Sequence, residues 1–191
     1  MKGDILTLVF WGLFYLFDGG KTLVYIFVSA SFHESAHLFF YYVFKARIKS
    51  VRVLPFGIST EFSSTSKLSF AKENTALLAG PLFNLIIALL AFLISKSLYF
   101  EENGVFIAYN FAYFLLNILP VFPLDGGRVL RNILFRALAY KKAVLISRTV
   151  SFVFIAALFS LSLFIFLSGT GNFSLLLVSA YLAVSFFTKN D

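Results

Sequence analysis

Residues 22–44 read TLVYIFVSASFHESAHLFFYYVF, and this stretch decides how the rest of the chain is read. It is long and apolar enough for a membrane-spanning helix, which takes about 20 residues to cross a hydrocarbon core of roughly 30 Å. Inside it stand two imidazoles and a carboxylate, His33-Glu34-Ser35-Ala36-His37. At about 3.6 residues per turn, His33 and His37 project from one helix face, one turn apart. That spacing suits two imidazole nitrogens that bind one metal ion, with Glu34 placed to lean toward the same ion.

The composition agrees with a membrane setting. The chain is 60% apolar with a mean hydropathy of +0.89, whereas soluble domains are about 45–50% apolar. The expected fold is an all-α polytopic membrane protein. Its 191 residues leave room for about six transmembrane helices and no large soluble domain. There is no cysteine, which excludes a disulfide framework, Cys-ligated zinc and a thiol nucleophile. The net charge of +7 reads as the basic excess of cytoplasmic loops rather than as a nucleic-acid surface.

Taken in order, Ile5–Phe17 is a short first span, retained rather than cleaved because no small-residue cleavage site follows it. Thr22–Phe44 is the second. Ile48–Phe62 shows β-type residues and partial alternation around Pro55-Phe56-Gly57, which predicts a short β-hairpin between the second and third spans. Asn74 or Thr75 is the expected N-cap of a third span, Ala76–Leu98. The fourth, Val105–Leu119, is a broken span, interrupted at Pro120 and Pro123. A basic helical pattern resumes from Arg128 to Tyr140. Ala143–Leu167 and Phe173–Phe187 are the fifth and sixth spans. With six alternating spans, fourteen of the sixteen Lys and Arg fall on one side, which places both termini in the cytoplasm. The pentad and Asp125 then lie toward the cytoplasmic side.

Of nine acidic residues, two fall at membrane depth, Glu34 and Asp125. Insertion of such a carboxylate costs about 2.5–3.5 kcal/mol, so something must compensate it. A divalent metal ion compensates both. His33 and His37 are the chain's two histidines, and Asp125 supplies a third ligand of suitable type. Two His and one carboxylate favour zinc and leave a fourth position open, the layout of a catalytic site. Glu34 is then the general base for peptide hydrolysis. Bland readings stand beside these. The histidines could bridge helices as satisfied polar groups, Asp125 could be a turn residue beside two glycines, Gly80-Pro81 a kink, and Asn84 interhelical glue.

The combination of motifs resembles the site-2 protease family of intramembrane zinc metalloproteases. Three patterns match: His33-Glu34-Ser35-Ala36-His37, Gly80-Pro81-Leu82-Phe83-Asn84, and residues 117–127, NILPVFPLDGG. Their order over three successive spans matches too, across roughly residues 20 to 140. The resemblance implies that His33, His37 and Asp125 bind one zinc ion and that Glu34 is the catalytic base. It also implies that Asn84 and Asn117, with Gly126, hold substrate or shape the cleft. The length is similar to the compact branch that includes a sporulation protease acting on a sigma-factor precursor. The expectation is one integral-membrane metalloprotease domain over residues 1–191, without a PDZ or CBS domain. It would perform regulated intramembrane proteolysis, for instance of a sigma-factor precursor or an anti-sigma factor.

Two other readings compete. A divalent-metal transporter would use the same ligands, but Glu34 beside His33 is better explained as a base, and one metal site is visible. A non-proteolytic membrane scaffold would not need Glu34. The expected partners are a membrane protein substrate and the lipid bilayer, with a membrane regulatory or inhibitory protein allowed for and no nucleic acid. A substrate helix must unwind before water can attack it. The edge of the Ile48–Phe62 hairpin is a candidate to pair with the unwound strand.

Overall fold

The computed structural model describes Gly12 and residues 20–46, 48–54, 57–62, 68–95, 103–170 and 173–188. In chain order the elements are α1 (Gly20–Val43), β1 (Ile48–Leu54), β2 (Gly57–Phe62), α2 (Phe70–Ser95), α3 (Asn103–Ile118), α4 (Asp125–Ala137), α5 (Tyr140–Ile165) and α6 (Phe173–Thr188). The candidate first span Ile5–Phe17, the Pro55-Phe56 turn, the polar loop at residues 63–67 and the Glu101-Glu102 connection lie outside the described residues.

Packing shows which solvent these helices suit. Phe27, Phe39 and Tyr42 of α1, Leu93 of α2, and Leu145 and Phe164 of α5 are exposed. Ser29, Ala76, Asn84, Asn110, Ser151, Ser162 and Ser179 are buried. A water-soluble core sorts residues the other way. Lipid gives apolar side chains no reason to hide, so helices associate through small residues and interhelical hydrogen bonds. By length and composition, Leu23–Val43, Phe70–Ser95 and Tyr140–Gly169 can each cross a membrane, while α3 and α6 are shorter apolar helices. The chain is therefore a largely helical membrane protein.

The chain divides into two compact units. The first, residues 21–118, contains α1, the strand pair, α2 and α3. Strands β1 and β2 run antiparallel, with Val51 opposite Thr60 and Val53 opposite Ile58, and a register irregularity between Ile48 and Ser50. Tyr25 of α1 stacks on Tyr109 of α3, with ring centroids 6.5 Å apart. Phe32 of α1 meets Phe83 of α2 edge-on at 6.4 Å. Helix α2 starts six residues before the expected Ala76, so Asn74 and Thr75 lie inside it and neither is its N-cap. The Glu73 amide already donates to the Ser69 carbonyl at 2.9 Å. Lys72 and Glu73 are good helix formers and extend α2 as a polar first turn.

The second unit, residues 1–20 and 119–191, contains α4, α5 and α6. Helix α4 begins at Asp125, three residues before the expected Arg128, and takes in both glycines. Leu124 is extended (φ −64°, ψ 162°), and the carboxylate in the first turn suits the positive end of the helix. The helix ends at Ala137, and Tyr140 opens α5 instead of closing the basic segment. Leu138 and Ala139 are both extended and separate the two helices. Ser162 of α5 and Ser179 of α6 meet hydroxyl to hydroxyl at 2.9 Å in a buried position. A π-helical turn, Phe166–Thr170, follows α5, with Gly169 at φ 79°, a backbone state that glycine adopts without strain.

Candidate metal centre

His33 and His37 lie one turn apart on α1, and both are buried. Each Nδ1 has a fixed partner. His37 Nδ1 lies 2.7 Å from the Ala76 carbonyl oxygen. A carbonyl only accepts, so the proton is on Nδ1. His33 Nδ1 lies 2.8 Å from Asn84 Oδ1. The orientation of that amide follows from its other bonds. Asn84 Nδ2 donates to the Ser29 carbonyl at 3.0 Å and to Asn110 Oδ1 at 2.9 Å. Asn110 Nδ2 in turn donates to the Phe106 carbonyl at 3.0 Å. The chain of bonds ends on backbone acceptors, so Asn84 presents oxygen to His33, and His33 also carries its proton on Nδ1.

The consequence falls on the other ring nitrogens. His37 Nε2 and His33 Nε2 are 3.0 Å apart. With both Nδ1 atoms engaged by acceptors, the two Nε2 atoms are left facing each other. An electropositive centre lying against both would be held by the two lone pairs. Zinc bonds His nitrogen at about 2.0–2.1 Å, so two ligand nitrogens on one ion stand roughly 3 Å apart. The donor set therefore fits zinc, and outer partners that fix tautomer and ring orientation are what metal-binding histidines ordinarily have.

Helix α2 permits the approach. A Cβ at Gly80 would stand 2.7 Å from His37 Cε1 and 2.8 Å from His33 Cε1, inside any real contact. Pro81 sits within the helix and has no amide hydrogen for Leu77. That weakens the turn whose Ala76 carbonyl receives His37. Aromatic rings close the sides: Tyr113 lies 6.0 Å from the His33 ring, and Tyr41 stacks 6.4 Å from His37. The hydroxyls of Ser29 and Tyr113 are buried without a hydrogen-bond partner among the described residues.

The other residues singled out in the sequence are placed as follows. Glu34 follows His33 on α1 and is partly exposed. Asn84 has its oxygen and both amide hydrogens engaged, as described above. Asn117, near the end of α3, is buried and donates to the Tyr113 carbonyl at 3.1 Å. In the second unit, Asp125 is buried in the first turn of α4, with Arg128 Nη1 3.9 Å from its Oδ1. Gly126 follows it and is half-buried. The loop before Asp125 is tightly held. The Leu124 amide donates to Val121 at 2.8 Å, and the Phe122 amide donates to Ser151 Oγ at 3.0 Å. A Cβ at Gly127 would run into the backbone of Val121 and Phe122.

Asn110 was not singled out in the sequence. An amide in the middle of an apolar helix was the available signal, since such a group needs a partner in lipid. Its partner lies 26 residues away, on another helix.

The family description "Peptidase family M50" matches residues 100–161. A solved chain titled Site-2 Protease from Methanocaldococcus jannaschii superposes with a TM-score of 0.71 at 26% identity, over 98% of this chain and 87% of that one. The chain is similar to a site-2 protease and, over residues 100–161, to peptidase family M50. Two curated relatives agree. Stage IV sporulation protein FB of Bacillus subtilis is 29% identical over 125 residues, 64% of this chain and 43% of that protein. A zinc metalloprotease of Methanocaldococcus jannaschii is 27% identical over 188 residues, 96% of this chain and 50% of that protein. The chain thus spans about half the length of the curated relatives it matches or less. The site-2 protease likeness spans both units.

Proposed function

We propose that the chain is an intramembrane zinc metalloprotease that hydrolyses a peptide bond in or near a transmembrane segment of a membrane-bound substrate. The observation that carries this reading is the facing pair of imidazoles, with Nε2 atoms 3.0 Å apart and both Nδ1 atoms held by acceptors. His33, His37 and Asp125 are the zinc ligands. When bound, zinc supplies Lewis-acid activation of water and of a peptide carbonyl. Glu34, one residue from a ligand and partly exposed, accepts the proton of the attacking water and returns it to the leaving amine. Asn84 fixes His33 through its oxygen, and Asn117 and Gly126 border the substrate path.

The finer architecture belongs to the same proposal. Six spans, with both termini and the site toward the cytoplasm, are supported by the fourteen-to-two division of Lys and Arg. The protease domain has its catalytic core at about residues 20–140. The β1–β2 pair offers an edge that an unwound substrate strand could extend. A sigma-factor precursor or anti-sigma factor is the proposed substrate class, by likeness to the sporulation relative. A regulatory or inhibitory membrane protein is a proposed further partner.

The test is Glu34→Gln beside His33→Ala, with a membrane-tethered reporter substrate and metal analysis. The protease reading expects Glu34→Gln to keep zinc and lose cleavage, and His33→Ala to lose both. Wild-type protein that binds zinc yet cleaves no membrane-tethered reporter, while changing metal flux across vesicles, would point to transport and sink the proposal.

A further inference from the structure

We propose that Tyr113 is a further catalytic residue, whose hydroxyl donates a hydrogen bond to the oxygen of the scissile peptide carbonyl. The inference rests on the protease reading above and adds a residue to that same site. Asn110, Tyr113 and Asn117 fall at i, i+3 and i+7 on one face of α3, and all three are buried. The two amides are engaged. Asn110 accepts from Asn84 and donates to the Phe106 carbonyl, and Asn117 donates to the Tyr113 carbonyl. The Tyr113 hydroxyl between them is buried and has no hydrogen-bond partner among the described residues.

A buried hydroxyl without a partner is destabilising. Phenylalanine fills nearly the same space without that cost, and α3 already carries Phe106, Phe111 and Phe114. The hydroxyl is therefore suited to a partner that comes from outside the chain. Its position says which one. The Tyr113 ring lies 6.0 Å from the His33 ring, tilted by 56°. Glu34, the next residue along α1, has its carboxylate within electrostatic range of the phenol oxygen. The ring thus stands beside a proposed zinc ligand, with its hydroxyl end toward the proposed base. A peptide carbonyl attacked by a water that Glu34 deprotonates has to stand in that same space.

The chemistry needs a donor there. As water adds to the carbonyl carbon, the second C–O bond opens and its electron pair moves onto oxygen. Glu34 takes the proton of the water and returns it to the leaving nitrogen as the C–N bond breaks. Tyr113 keeps its own proton throughout and only donates a hydrogen bond, which strengthens as the oxygen becomes negative. In a water-poor site such a preplaced donor counts for more than it would in water.

The experiment compares the full-length wild type with Tyr113→Phe, reading cleavage of the membrane-tethered reporter, bound zinc, the melting temperature of the metal-free protein and the affinity of a phosphinic peptide that mimics the tetrahedral state. Tyr113→Phe should lower kcat by roughly 10²-fold, the lower end for loss of one oxyanion donor, with KM nearly unchanged. Zinc content should hold, and the metal-free melting temperature should stay level or rise, because an unpartnered hydroxyl has been removed. The phosphinic peptide should weaken in parallel with kcat. Tyrosine fluorinated at position 3, which keeps the O–H, should restore cleavage at Tyr113. A wild type that cleaves and a Tyr113→Phe protein that cleaves equally well would overturn the inference and leave the protease reading standing. A wild type that cleaves nothing would sink both. A fall in kcat with unchanged phosphinic-peptide affinity would place the hydroxyl on Glu34 instead of the substrate, and a lower melting temperature with lost zinc would make its role structural; either overturns it.

Discussion

Asn84 holds His33 through its side-chain oxygen, 2.8 Å from Nδ1, and does so with its own amide anchored on two helices. The orientation of the His33 ring on α1 is therefore set from α2 and α3. Asn84→Ala removes the acceptor that keeps the His33 proton on Nδ1, and leaves Ser29 and Asn110 short of a donor. Lost outer partners typically lower metal affinity by about 10–100-fold. Zinc competition with a chelator should show a fall on that scale, together with a lower melting temperature. Unchanged zinc affinity would mean the amide network does not orient His33.

Gly80 is a position where two physical effects oppose each other. In an exposed helix interior, Gly→Ala stabilises by about 1 kcal/mol through backbone entropy. Here the added Cβ would stand within 2.8 Å of both imidazole rings. Overpacking of that kind costs about 1–3 kcal/mol and pushes side chains off their rotamers. Sterics win, so Gly80→Ala should reduce zinc content and stability together. A more stable variant with full zinc would show that the rings have room to move.

What could be read from the sequence, and what could not, divides along local and tertiary lines. The His33–His37 face follows from helix geometry alone, which is why the imidazole pair was visible. The role of Asn84 was half visible: an amide at membrane depth needs a partner, but which partner depends on how α1 and α2 pack. Asn110 escaped for the same reason. The early start of α2 was hidden because Lys72 and Glu73 interrupt the apolar run without breaking the helix. The start of α4 was hidden because Gly126 and Gly127 argue against a helix interior. In a first turn, with Leu124 extended ahead of it, that penalty does not decide the outcome. Gly127 is required for another reason, the backbone of Val121 and Phe122 lying against it.

That contact gives a prediction for the second unit. Gly127→Ala would place a methyl group against the Val121 carbonyl, which is itself held by the Leu124 amide at 2.8 Å. Backbone fixed by its own hydrogen bonds yields less readily than a side chain. The first turn of α4 must shift, and Asp125 with it. A loss of about 1–3 kcal/mol in stability is expected, with weaker zinc binding, whereas Gly126→Ala, at a half-buried neighbour, should cost less. Equal effects at the two positions would show that the close approach at Gly127 is not what constrains the loop.

Ser162 and Ser179 test how the apolar helices are joined. Their hydroxyls meet at 2.9 Å, and each also donates within its own helix, to Phe159 at 2.8 Å and to Leu176 at 3.0 Å. A hydroxyl has one hydrogen, so only one of the two can bridge at any instant while the other keeps its intrahelical bond. The competing local acceptors should keep the coupling small. Double-mutant cycles of interhelical hydrogen bonds in membranes average about 0.6 kcal/mol, and a value of that order is expected for Ser162→Ala with Ser179→Ala. Unfolding in mixed micelles measures it. Coupling well above about 1.7 kcal/mol, the upper end for such pairs, would mean the serines form a stronger joint than their shared donors allow.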